Sequence, residues 1–93
     1  MRESDIIQQL RQAVNTAGGE LHKIVFENGR DCPDFIVLLR GRCYLVEAKR
    51  PGAKPRPSQL YMFETIYKHT GVIVYIVSCA EDIADFMRVV LQQ

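Results

Sequence analysis

Three charged residues lie within or at the ends of apolar runs that read as strands: Asp34, directly after Pro33, and Glu47 and Lys49, two positions apart. A buried charge costs several kcal/mol unless it is paired or binds a metal, so chemistry is expected at these positions. Side chains alternate across a strand, which puts Glu47 and Lys49 on one face and Ala48 on the other. The runs Asp34 to Leu39 and Cys43 to Ala48 are separated by Arg40, Gly41 and Arg42, and a three-residue connection containing glycine predicts a hairpin. A turn centred on Gly41 pairs residues whose numbers sum to about 82, which brings Asp34 near both Glu47 and Lys49. Two carboxylates and a backbone carbonyl would offer hard oxygen ligands suited to Mg²⁺ or Mn²⁺. A cation held there polarises a phosphodiester and helps generate hydroxide, while a lysine orients the attacking water or stabilises developing charge. The plainer reading is a surface ion pair between Glu47 and Lys49 on an edge strand, with Asp34 merely opening its own.

The surrounding pattern supplies the elements that must position these groups. Ile6 or Ile7, Leu10, Val14 and Ala17 recur at helical spacing and stop at Gly18 and Gly19, which predicts an amphipathic first helix. Leu21, Ile24, Val25 and Phe26 read as a short strand ending at Asn28 and Gly29. After the hairpin, Pro51 to Pro57 holds three prolines and a glycine and predicts a stiff loop. Ser58 is the expected cap of the next helix, which carries Leu60, Phe63, Ile66 and Tyr67 and ends at Thr70 and Gly71. Val72 to Val77 is almost wholly apolar and predicts a strand buried on both faces. Ser78 to Glu81 open a last helix with Ile83, Phe86, Met87 and Val90 inward. Helices between and after strands imply a mixed sheet flanked on both sides, with the strand after the crossover helix parallel to a neighbour.

A chain of 93 residues makes one domain, 1–93, so an activity that needs two sites would need two copies. With 47% hydrophobic and 25% charged residues the composition is that of an ordinary globule, which excludes disordered, collagen-like and coiled-coil readings. The longest apolar run, Val72 to Val77, is far too short to span a membrane, and Arg2, Glu3 and Asp5 interrupt any signal-peptide pattern. A cytoplasmic protein of phage or bacterial origin is expected. Three cysteines, 32, 43 and 79, form no CxxC pair and are expected to be reduced and mostly buried. The net charge of +1 conceals an asymmetry: half of the twelve cations lie between Arg40 and Arg56, against the single acid Glu47. Such a patch suits a polyanion, although a solvated basic loop would read the same way.

Glu3-Ser4-Asp5 opening a helix, Gly18-Gly19, Lys23, Pro33-Asp34, Glu47-Ala48-Lys49, Pro51-Gly52 through Pro57, Gln59 and the Val72 to Asp82 segment together resemble the virus-type replication-repair nuclease (VRR-NUC) domain. That domain is a compact member of the PD-(D/E)xK, or restriction-endonuclease-like, superfamily, and the similarity runs from Glu3 to Met87. The resemblance implies that Asp34 and Glu47 are metal-binding acids, that the main-chain oxygen of Ala48 is a further ligand, and that Lys49 is the catalytic lysine. It also implies that Glu3, on the first helix, completes the metal site directly or through water. Independently, Glu3 shares a helical stripe with Ile7, Leu10 and Val14. Its plainer reading is an acid favoured by the helix dipole, just outside the helix if Ser4 is the cap.

Gln59 matches a glutamine at the start of the helix after the active-site strand, and is counted with Glu3, Asp34, Glu47 and Lys49 as a candidate catalytic residue. Phe63 stands where related nucleases have tyrosine, so packing is its expected role. The family also has a glycine one or two residues before the Pro-Asp pair, whereas here Arg30, Asp31 and Cys32 follow Gly29, which suggests a displaced loop. Asp31 is a competing carboxylate off the strand. His22 and His69 have no partner spacing and are expected to be structural or solvated.

The sequence therefore points to an α/β, restriction-endonuclease-like core in the order α-β-β-β-α-β-α. The expected activity is that of an Mg²⁺- or Mn²⁺-dependent DNA endonuclease, as a homodimeric resolvase of four-way (Holliday) junctions, with Lys23, Arg50, Lys54 and Arg56 on the DNA. The rivals are a less selective nickase or flap endonuclease, an inactive nucleic-acid-binding module, and a structural interaction domain.

Overall fold

The computed structural model describes residues 1–93. Its elements are α1 (Glu3–Thr16), β1 (Glu20–Lys23), β2 (Phe35–Leu39), β3 (Arg42–Ala48), α2 (Pro57–Thr70), β4 (Val74–Val77) and α3 (Ala80–Val90), the expected order. The strands form one sheet in the order β1-β2-β3-β4, antiparallel except for the parallel β3–β4 pair.

Alternation along β2 and β3 divides the sheet into two unlike faces. Phe35, Val37, Leu39, Tyr44, Val46 and Ala48 are buried on one face, where they share a core with Ile6, Leu10 and Val14 of α1 and Ile83, Phe86, Met87 and Val90 of α3. Tyr44, Tyr75 and Phe86 meet edge to face within it. Each buried aliphatic side chain there contributes roughly 2 kcal/mol relative to exposure. The opposite face carries Glu47, reached by Gln59 of α2, while Leu38 and Ile76 on that face stay exposed. Helices thus flank both sides, but α2 covers its side only in part, burying just Gln59 and Phe63. Phe63 packs, as expected; Leu60 and Tyr67 do not.

The hairpin turn has two residues rather than three, because Arg42 already pairs with Leu39. Arg40 and Gly41 both take positive φ, 55° and 80°, the backbone of a turn whose twist matches the flanking strands. Phe35 pairs with Val46, so paired numbers sum one lower than expected, and continuing the register sets Asp34 directly opposite Glu47. Other corrections are local. β1 begins at Glu20 and stops before Ile24, leaving Val25 exposed. α1 begins at Glu3 itself, with Arg2 preceding it and donating its backbone N–H to Asp5, so Ser4 is not the cap. α2 begins at Pro57, whose missing N–H costs nothing at a first helical position, so Ser58 is not its cap either.

The Val72 to Val77 run was expected to be buried on both faces, yet only Val74–Val77 forms a strand, and it lies at the sheet edge with Ile73 and Ile76 exposed. An apolar β-branched run signals a strand but carries no information on strand order. The cysteines are less buried than expected: Cys43 is exposed, and Cys32 and Cys79 are partly so. No helix is long and apolar enough to cross a membrane.

Gly19 joins α1 to β1 at close quarters. A Cβ there would lie 2.7 Å from the Leu38 carbonyl oxygen and 3.1 Å from Val14 Cγ1. Gly19→Ala is therefore expected to destabilise the fold by about 1–3 kcal/mol, read as a lowered midpoint in thermal or urea unfolding.

Candidate active site

Asp34, Glu47 and Lys49 meet at the end of the β2–β3 hairpin away from its turn, lining a cavity of about 400 Å³ with Glu3, Lys23 and Gln59. Arg56, Asp31 and Cys32 line it too. Glu47 is 1% exposed, which is exceptional for a carboxylate. Its Oε2 accepts from Lys49 Nζ at 3.1 Å and from Gln59 Nε2 at 3.0 Å. Its Oε1 is buried without any partner. Burial first, and the neighbouring Asp34 charge second, raise the Glu47 carboxyl above the usual carboxylate range, against the opposing pull of Lys49 and Gln59.

Pro33 contributes through what it lacks. Asp34 Oδ2 accepts the Ala48 N–H at 3.2 Å, tying the two strand ends together. Continuing the hairpin register by two residues sets Pro33 opposite Ala48, and proline has no N–H to donate to the Ala48 carbonyl. An unpartnered Glu47 oxygen, the Asp34 carboxylate and an Ala48 carbonyl facing a proline make a hard-oxygen donor set that fits a cation such as Mg²⁺ or Mn²⁺. No three His, Cys, Asp or Glu side chains converge into a ready-made metal cluster anywhere in the protein. Glu3 accordingly lines the cavity as an exposed side chain without joining the two acids as a third direct neighbour.

Gln59 is the hub. Its Oε1 accepts from Lys49 Nζ at 3.1 Å and from the Arg56 N–H at 2.9 Å, while its amide nitrogen holds Glu47. One side chain therefore caps α2 and fixes the acid and the lysine together.

The basic residues separate in space. Lys23 lines the cavity and Arg50 and Lys54 are exposed on the adjoining loop. Arg40 lies in the hairpin turn and Arg42 borders it, five residues of strand from Glu47, or roughly 17 Å. Arg40 donates to the Leu91 carbonyl there, so the linear cluster from Arg40 to Arg56 is not one patch. Arg56 is engaged as well, its Nη2 lying 3.2 Å from Asp31 Oδ1. His22 meets only Glu20 at the exposed end of β1. The sequence offered Asp31 only as a competing carboxylate and Cys32 only as a reduced cysteine; the signal for Asp31 was its place two residues before Pro33, where the resembled family has glycine. Asp31 indeed adopts a positive φ of 58°. The Cys32 thiol is pushed up by burial and by the Asp34 and Glu47 charges, which disfavours the reactive thiolate.

A mixed sheet whose hairpin ends in Pro33-Asp34 on one strand and Glu47-Ala48-Lys49 on the next is the arrangement that the resemblance to PD-(D/E)xK nucleases implies. The fold is VRR_NUC-like. A solved VRR_NUC domain matches it with a TM-score of 0.82 and 27% identity, over 92% of this chain and 94% of that one. "Putative nuclease p44" of Acyrthosiphon pisum secondary endosymbiont phage 1 is 41% identical over 61 residues, 64% of this chain. The chain spans 66% of the length of that phage protein. No family model matches the chain.

Proposed function

We propose that the chain is a divalent-metal-dependent DNA endonuclease that hydrolyses phosphodiester bonds in the cytoplasm and acts, as a homodimer, on four-way junctions. The observation that carries the nuclease reading is the buried Glu47 with one oxygen held by Lys49 and Gln59 and the other unpartnered, beside Asp34. A surface ion pair would not bury its acid to 1% exposure. Mg²⁺ or Mn²⁺ held by Asp34, Glu47 Oε1 and the Ala48 carbonyl, with Glu3 acting through water, would supply Lewis-acid polarisation and an activated water. Lys49, fixed by Glu47 and Gln59, would orient that water and stabilise charge developing on the phosphate. The junction and dimer assignments rest on the resemblance and on a count of sites: one small domain offers one such cavity, and symmetric cutting of two strands needs two.

The test is incubation of the purified protein with labelled four-way junction, flap, single-stranded and linear substrates, with and without Mg²⁺ or Mn²⁺. Divalent-dependent cutting that favours the junction is expected, together with a dimer in gel filtration. Equal cutting of all substrates by a monomer would replace the resolvase with a nickase or flap enzyme. Salt-sensitive binding without any divalent-dependent product would make the chain a binding module.

DNA contacts are assigned to Lys23, Arg50, Lys54 and Arg56. Arg50→Ala and Lys54→Ala are each expected to weaken binding to all DNA forms alike and to lower the salt slope by about one. Titrations in Ca²⁺ over a range of salt concentrations check this, and an unchanged slope removes the residue from the contact set.

A further inference from the structure

Asp31 lies outside every strand and helix yet reaches across the cavity mouth. Its Oδ1 accepts from Arg56 Nη2 at 3.2 Å and from Ser58 Oγ at 3.1 Å, the residues on either side of Pro57, where α2 begins. Its side chain is 19% exposed against 65% for Arg56. Its φ of 58° lies in the left-handed region that non-glycine residues seldom enter, and such a conformation persists only where surrounding contacts fix it. Those contacts lead directly to the site, because the Arg56 N–H and Lys49 Nζ share Gln59 Oε1, and the Gln59 amide nitrogen holds Glu47.

We infer that Asp31 is a positioning residue: its carboxylate pins the first turn of α2 through Arg56 and Ser58, and so fixes the Gln59 amide that joins Glu47 to Lys49. The clamp bridges segments 25 and 27 positions apart in sequence, so no local backbone preference substitutes for it. No other hydrogen bond ties the Asp31 loop to α2. Asp31 makes no hydrogen bond or ion pair with Glu47 or Lys49, and its hydrogen-bonded link to them runs through the start of α2 and Gln59. The inference rests on the nuclease reading only where cleavage is the readout.

The test compares wild type, Asp31→Gly, Asp31→Asn, Gln59→Ala and the Asp31→Gly/Gln59→Ala double variant. Glycine accepts the backbone conformation and removes the clamp together with its charge. Asn keeps an oxygen acceptor and tolerates the left-handed region. Asp31→Gly is expected to lower kcat roughly tenfold without raising KM, since a small misplacement of reacting groups is costly. Asp31→Asn is expected to recover most of that loss, and Asp31→Gly to add nothing in the Gln59→Ala background. A purely structural role predicts losses that multiply in the double variant, and that result, or wild-type kcat in Asp31→Gly, overturns the inference.

Hydrogen exchange of the Gln59 side-chain amide, followed by NMR, gives a readout independent of cleavage. It should quicken in Asp31→Gly, and an unchanged rate also overturns the inference. Should Asp31→Gly fail to fold, Ser58→Ala, which removes a single hydroxyl, carries the same exchange comparison. If the wild type cuts no DNA with either cation, the nuclease reading fails, while the exchange data still decide the positioning role.

Discussion

Asp34→Asn is expected to reduce divalent-dependent cleavage by on the order of 10³-fold while leaving DNA affinity in Ca²⁺ within about twofold, because one charged ligand supplies several kcal/mol and each 1.36 kcal/mol is tenfold. Asn preserves shape and can still accept the Ala48 N–H that Asp34 Oδ2 takes at 3.2 Å, so the hairpin end stays closed. What is lost is charge: a hard cation would find only Glu47 and neutral oxygens. The substitution also removes the neighbouring anion that helps to raise the Glu47 carboxyl, so the metal-free variant should unfold at or above the wild-type temperature. Wild-type protein should gain thermal stability on adding Mg²⁺ or Mn²⁺, by mass action on the folded state, and Asp34→Asn should lose that gain. Cleavage at the wild-type rate by this variant would remove the proposed metal site.

Lys49→Met produces the second large effect, and it separates stability from activity. Met keeps the apolar stem and removes the ammonium 3.1 Å from Glu47 Oε2, leaving a carboxylate at 1% exposure with Gln59 as its only partner. Breaking a buried pair by removing one member costs about 3 kcal/mol or more, because the surviving charge is uncompensated. The pH dependence has a definite sign. The Glu47 carboxyl is already raised by burial and by Asp34, and losing Lys49 raises it further. A carboxyl raised on folding binds more protons in the native state; its contribution to stability is fully present below its unfolded value and is lost as pH rises through the folded one. Lys49→Met should therefore approach wild-type stability in acid and fall behind it as Glu47 ionises toward neutrality. Urea unfolding at several pH values checks this, and a pH-independent deficit would mean that the ammonium is not the counterion of Glu47. Cleavage at neutral pH should drop roughly 10³-fold, since the group that orients water and meets developing charge is gone.

Element order was legible because it is written locally. The α1 stripe, the presence of a hairpin turn at Gly41 and the inward face of α3 follow from periodicities of 3.6 and 2 and from turn chemistry, which act within a few residues. The shared face of Glu47 and Lys49 follows from the same alternation. The strand register was readable only to within one residue, and in a hairpin that slip decides whether Asp34 meets Glu47 or its flank. The loop before β2 was the least legible segment, since Asp31 gains its role from Arg56 and Ser58, which folding brings to it.

By itself, then, the sequence determined the order of helices and strands, and that an acid and a lysine would share one strand face across from a second acid, because these are consequences of local backbone geometry. Only the tertiary structure decided that β4 lies at an edge, that Arg40 and Arg42 stand apart from the cavity, that Gln59 joins Glu47 to Lys49, and that Asp31 holds the start of α2. Burial, charge pairing and the partners of a polar side chain depend on what chain closure brings alongside, and no short-range pattern encodes that.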